Sequence, residues 1–312
     1  MLSLAAASWL LGAADLQADR PWWLRENLRV VTYEFLERDS KRTVDLTADE
    51  ILDAVRKLGG CDVFLVKGFH YFRERFDDSS WGYPRFKTKV RELVPRLREQ
   101  RIKAGIFGFT DRKRSYRGQP DADLILATWK GYVDDGVDLL FVDEESGAGG
   151  LDIPEACLEH CDELKKRFKL PVGIFLYGSA AEADRVGAIA RRVDVIGEMS
   201  YNLYLEAPGN YSLKEVTRKW SEAARTGSEG RCAYWTGAMI PEKPTEGPGT
   251  PFWRERYGDR GLADYFRDYF SAAGGGGARG VYFHSLCRLA RRVPGKEQDG
   301  FLKSLGASFS GR

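Results

Sequence analysis

Three consecutive carboxylates, Asp143, Glu144 and Glu145, end the run VDLLFV (137–142), which is apolar but for Asp138. Ser-Gly-Ala-Gly-Gly follows. A short apolar run bounded by turn residues reads as a strand buried on both faces. Acids at its C-terminal end sit at the rim of a parallel sheet, where α/β folds bind ligands. A second acid, Glu198, stands near the end of VDVIGEM (193–199). Two carboxylates flanking a glycosidic bond are the minimum machinery of most glycoside hydrolases. One attacks or stabilises the anomeric carbon, and the other, with a raised pKa, protonates the leaving oxygen. Simpler roles compete: a solvated turn after the strand for the triplet, and for Glu198 an ion pair with Lys67 or an arginine.

These acids need a frame. Apolar strand candidates fall at 28–35, 61–67, 102–109, 137–142, 171–177, 193–199, 232–236 and 280–283. Helical patterns lie between and after them. One opens with the capping box Thr47-Ala48-Asp49-Glu50 and stops at Gly59-Gly60. Others span 86–100, with a kink or break at Pro95, then 121–135, 153–168, 180–191, 212–226, 261–273 and about 297–305. Strict alternation of strand and helix predicts a single-domain (β/α)8 TIM barrel. A doubly wound sheet would want a glycine-rich turn after its first strand. FLERDSKR (35–42) has no glycine there, and the run Gly274 to Gly277 precedes the last strand, on the barrel's stability face. No internal sequence repeat is evident.

The strand ends then converge on one rim. They supply Glu34, Lys67 with His70, Asp111 with Arg112, the 143–145 acids, Tyr177, Glu198 with Tyr201 and Asn202, Tyr234 with Trp235, and His284. The loops beyond are aromatic, with Trp81 after the second strand and Trp253 after the seventh. A pyranose offers an apolar C–H face to stack and hydroxyls to hydrogen-bond. The catalytic candidates are Asp143 and Glu198, with Glu145 as the rival acid. Glu34, Lys67, His70, Trp81, Tyr177, Tyr201, Asn202, Trp235, Trp253 and His284 are the substrate-binding candidates. Trp81, Trp235 and Trp253 are expected to be partly exposed near the acids.

Two family resemblances lie in these residues. The order TADEIL…LGGCDVFLVKGFHYF…SSWGYPRF…LVPRLREQRIKAGIFGF…DGVDLLFVDEES resembles the barrel half of glycoside hydrolases of the α-fucosidase and α-galactosidase group. That resemblance implies Asp143 as nucleophile and an acid from a later strand, here Glu198. The group's His-His pair after strand two is reduced to His70. DDGVDLLFVDEE and GEMSYNLY are similar to the D-G-x-D-x-D-x-E and M-x-Y-D/N signatures of family 18 chitinase-like enzymes. Asp143-Glu144-Glu145 supplies the D-x-E, and Met199, Tyr201 and Asn202 fit the second signature. This second resemblance implies Glu145 as the acid and Asp143 as helper of a substrate N-acetyl group.

Composition narrows the partners. With 48 basic and 46 acidic residues the net charge is +2, which argues against a nucleic-acid binder. Residues 2–14 are small and apolar, like the h-region of a secretory signal, although no basic residue precedes them. We expect a signal segment at 1–18, the barrel over 19–312, and a secreted or periplasmic protein. No other stretch approaches the ~18 apolar residues of a membrane span. The five cysteines read as small buried residues and not as a disulfide framework. CLEHC (157–161) is one tight cluster without a second pair, so no metal and no cofactor are expected. The expected partner is a carbohydrate substrate bound by a monomer. A non-catalytic glycan-binding barrel and a Schiff-base aldolase using Lys67 are the rival classes.

Overall fold

In a computed structural model the described residues are 20–34, 46–70, 83–109, 122–143, 155–176, 183–199, 213–239, 261–292 and 295–310. Eight parallel strands close into a barrel. They are β1 (Leu28–Tyr33), β2 (Val63–His70), β3 (Lys103–Phe109), β4 (Leu139–Asp143), β5 (Val172–Leu176), β6 (Val195–Glu198), β7 (Ala233–Met239) and β8 (Gly280–His284). Closure is made where β1 pairs with both β2 and β8. The helices are α1 (Ala48–Lys57), α2 (Tyr83–Glu99), α3 (Ala122–Asp134), α4 (Glu155–Phe168), α5 (Ala183–Ala190), α6 (Leu213–Gly227), α7 (Gly261–Gly275), α8 (Leu286–Arg292) and α9 (Gly295–Ser310). The single-domain (β/α)8 barrel is therefore established. Two local expectations change. The helix containing Pro95 is one element and not two, and α8, directly after β8, was not foreseen in LCRLARR.

Alternation along each strand sorts the core into two shells. Val31, Phe64, Ile106, Leu140, Ile174, Ile196 and Phe283 face the helices. Leu28, Val30, Val63, Leu65, Phe107, Leu139, Phe141, Phe175, Val195, Trp235 and Tyr282 fill the barrel's interior. The interior is packed by pairing rings with glycines. A Cβ on Gly173 would lie 2.5 Å from the Phe141 ring, one on Gly197 2.5 Å from Phe175, one on Gly237 2.0 Å from Tyr282 and one on Gly280 2.7 Å from Trp235. The strands forgo side chains where neighbouring aromatics need the volume. Phe141 stacks on Phe175 at 4.3 Å, and Phe107 and Tyr282 meet Phe175 edge-on.

The outer shell follows local rules. Thr47 caps α1, its hydroxyl accepting from the Glu50 N–H while Glu50 accepts from the Thr47 N–H at 2.7 Å, the capping box read from the sequence. Gly59 and Gly60 end that helix with φ of 73° and 89°. All five cysteines are free and buried. At the N-terminal face an aspartate precedes three even-numbered strands. Each accepts from the backbone N–H of the preceding odd strand and pairs with a cation: Asp62 with Arg29, Asp138 with Lys103 near Ala104 N–H, and Asp194 with Lys165 near Val172 N–H. Trp22, Trp23 and Leu24, in a 3₁₀ turn, pack under the interior from the same side. Among the described residues no helix is long and apolar enough to cross a membrane.

Candidate active site

Above the aromatic plug, at the C-terminal ends of β1, β2, β4 and β8, the interior becomes polar. On β1, Leu28 and Val30 point inward, so Thr32 and Glu34 continue that face. On β2, Val63 and Leu65 lead to Lys67, and on β4 Leu139 and Phe141 lead to Asp143. Asp143 is buried, and its register partners are Phe109 and Phe175. Lys67 donates to Glu34 at 2.8 Å, and its ammonium stands 5.8 Å from the Phe107 ring centre. Glu34 receives His284 Nε2 on its other oxygen at 2.8 Å. Thr32 Oγ1 lies 2.8 Å from His284 Nδ1. The side chains of Glu34, Lys67 and His284 keep 12%, 6% and 10% of their surface, so a small face of each stays exposed. A lysine held by a carboxylate at this distance is ammonium and not a nucleophilic amine. That geometry gives the aldolase chemistry no support.

Glu198 does not join this group. On β6, Val195 faces inward, Ile196 outward and Met199 inward, which turns Glu198 toward the helices. Its Oε2 accepts from Thr236 Oγ1 at 3.0 Å, and Thr236 in turn meets the Tyr269 hydroxyl of α7 at 2.9 Å. It is fully buried there. The expectation that Asp143 and Glu198 straddle a sugar is corrected: the two leave their strands on opposite faces. The Tyr282 hydroxyl, donating to the Glu198 carbonyl, secures this end of β6. Trp235 is a second correction. It is completely buried in the plug, tilted against Phe141 at 5.8 Å in space left by Gly280, and offers no platform to a sugar.

Glu145, Trp81, Tyr177, Tyr201, Asn202 and Trp253 lie outside the described residues, as does the 1–18 segment, and of His70 only the backbone is described. Two residues of the site were not singled out in the sequence. Thr32, a hydroxyl in an apolar strand two residues before Glu34, carried a signal. Phe107 as a lumen wall follows only from strand parity. Among the described residues no group of three His, Cys, Asp or Glu is placed to hold a metal ion. His160, within CLEHC, instead accepts from Trp129 Nε1 at 3.0 Å.

No model of a known protein family matches the chain, and no curated protein matches it in sequence. Solved structures match in fold. A Group IV chitinase of Ostrinia furnacalis has a TM-score of 0.60 at 12% identity, over 91% of this chain and 99% of that one. A class V chitinase from Nicotiana tobaccum gives 0.54 at 12% identity, over 91% and 99%. A variant tryptophan synthase α-subunit from Pyrococcus furiosus gives 0.52 at 13%, over 92% and 99%. At such identities the likeness is one of fold, and one fold hosts many chemistries.

Proposed function

We propose that the protein is a glycoside hydrolase of chitinase-like mechanism, acting on glycans of N-acetylated sugars with Asp143 at the end of β4 and Glu145 of the D-x-E signature. The observation that carries this is the opposite facing of Asp143 and Glu198. With Glu198 turned into the helical shell, the acid pair of the α-fucosidase-like reading loses one member. Glu145, two residues beyond Asp143 in the sequence, is the acid that the D-x-E signature supplies in its place. Met199 of the M-x-Y-N signature borders the lumen, and the fold is shared with two chitinases; both support the reading.

In this mechanism Glu145 gives its proton to the leaving oxygen as the glycosidic C–O bond breaks. The substrate's acetamido oxygen forms the new bond to the anomeric carbon. Asp143 orients the acetamide and stabilises the positive charge on its nitrogen. Water then attacks the anomeric carbon, opens the cyclic intermediate and returns a proton to Glu145, with net retention. The aromatic plug excludes water from below and fixes the height at which a sugar ring can sit.

Hydrolysis of unactivated chitooligosaccharides and of their activated aryl glycosides tests this. Asp143→Asn should lower kcat by about 10²- to 10⁴-fold on both. Glu145→Gln should suffer most on the unactivated substrate, whose leaving group needs the proton. Glu198→Gln should keep turnover while losing thermal stability. A folded Glu198→Gln without activity, beside an active Glu145→Gln, would overturn the assignment. A wild-type protein that binds these glycans without cleaving them would be a glycan-binding barrel instead.

A further inference from the structure

The Glu34–His284–Thr32 chain is built to accept a proton without rearranging. A carboxylate can only accept when ionised, so His284 Nε2 carries the hydrogen shared with Glu34. In the neutral ring Nδ1 is then an acceptor, and the Thr32 hydroxyl donates to it at 2.8 Å. When the ring is protonated, Nδ1 becomes a donor. The Thr32 oxygen can accept at the same distance if its hydrogen turns to another acceptor. That acceptor is present: the Phe283 carbonyl oxygen lies 3.4 Å from Thr32 Oγ1. Both charge states thus satisfy both ring nitrogens.

We propose that His284 is a positioning residue that holds Glu34 in one orientation against the lumen in both of its protonation states, with the Thr32 hydroxyl exchanging donor and acceptor roles. The charged and titratable neighbours among the described residues fit this. From β1 the ring faces Glu34 and Thr32. From β2 comes Lys67, on the other oxygen of the same carboxylate. On β7 the backbone register partner of His284 is Met239. The Cys287 thiol of α8 is engaged by the Ser285 hydroxyl at 3.0 Å. With Lys67 charged and Glu34 ionised, this wall of the lumen gains one positive charge as His284 protonates, and the carboxylate that meets the sugar stays in place. The link from Glu34 to substrate rests on the glycosidase reading; the proton exchange does not.

The test uses the full chain with ¹³C-labelled histidine. The three histidines, His70, His160 and His284, are separated in the NMR titration by comparison with His284→Gln. His284 should titrate in the wild type. Thr32→Val removes the exchanging hydroxyl, and an unsatisfied charged donor costs more than an unsatisfied neutral acceptor, so the His284 pKa should fall by about one unit. Thr32→Ser should restore it, and Thr32→Ala replaces the valine variant if packing fails in near-UV circular dichroism. On substrate, His284→Gln should raise KM more than it lowers kcat. A wild-type His284 that does not titrate, or a Thr32→Val protein that titrates like wild type, overturns the proposal. These NMR outcomes stand even if no glycan is cleaved.

Discussion

His160 shows what a single buried residue does to the pH range of this fold. It sits between α3 and α4, accepting from the Trp129 indole, and burial pushes its pKa down from 6.5 to about 3. The folded state therefore keeps the ring neutral where the unfolded chain protonates it. The stability this contributes is complete above about pH 6.5 and is lost as pH falls toward 3, because the unfolded state binds the extra proton in that window. Between about pH 7 and about pH 4.5 the loss should approach ~2–3 kcal/mol. His160→Gln offers Trp129 a carbonyl acceptor with no titration. Urea denaturation at the two pH values should show a smaller acid penalty for the variant than for wild type; equal penalties would assign the effect elsewhere. The cysteine thiols show the same burial with opposite sign. Desolvation pushes Cys61 and Cys232 up, away from thiolate chemistry.

At the scale of elements, the barrel's N-terminal face is fastened by the repeated aspartate clasp before β2, β4 and β6. Each clasp ties an even strand to the preceding odd one through a backbone N–H, with a cation from that odd strand for Asp62 and Asp138 and from α4 for Asp194. Their burial differs: the aspartate side chains are 39%, 22% and 16% exposed for Asp62, Asp138 and Asp194. Screening weakens the exposed pairs, and a buried N–H left without its acceptor costs more. Alanine at Asp194 should destabilise by roughly 1–3 kcal/mol, with Asp138 intermediate and Asp62 least. Thermal or denaturant melts give the order, and a reversed order would mean that the cation, not the backbone contact, carries the clasp. Each aspartate stood visible in CDV, VDL and VDV, but its partner N–H lies 22 to 34 residues away. No local pattern announces that pairing.

For the whole molecule the aromatic plug links stability to the site. The rings that fill the interior also form the floor beneath Asp143 and Lys67. Gly197→Ala would drive a methyl group to 2.5 Å from Phe175 and 3.2 Å from Phe141. Overpacking of this kind typically costs about 1–3 kcal/mol. The variant should melt earlier, change its near-UV circular dichroism and lose activity with Asp143 and Glu145 intact. Gly300→Ala, whose Cβ would meet nothing within 4 Å, is the control. An unperturbed Gly197→Ala would show that the plug yields without disturbing the site.

The sequence alone determined the barrel, because eight apolar strands alternating with amphipathic helices repeat a local pattern that needs no tertiary knowledge. It also marked Glu34, Lys67, Asp143 and His284 as residues at or near strand ends, since each follows a largely apolar run. Only the tertiary structure decided which of the strand-end residues belong together. Glu198 looked equivalent to Asp143 because both follow short apolar runs. Yet GEM places its acid one residue out of phase with the lumen, and a shift of one residue turns a side chain to the other face. Trp235 looked like a rim platform until Gly280, 45 residues later and adjacent only through β7–β8 pairing, provided the space that draws it inside. Local periodicity carries the elements; phase around a closed barrel, and the volumes its neighbours leave, carry the site.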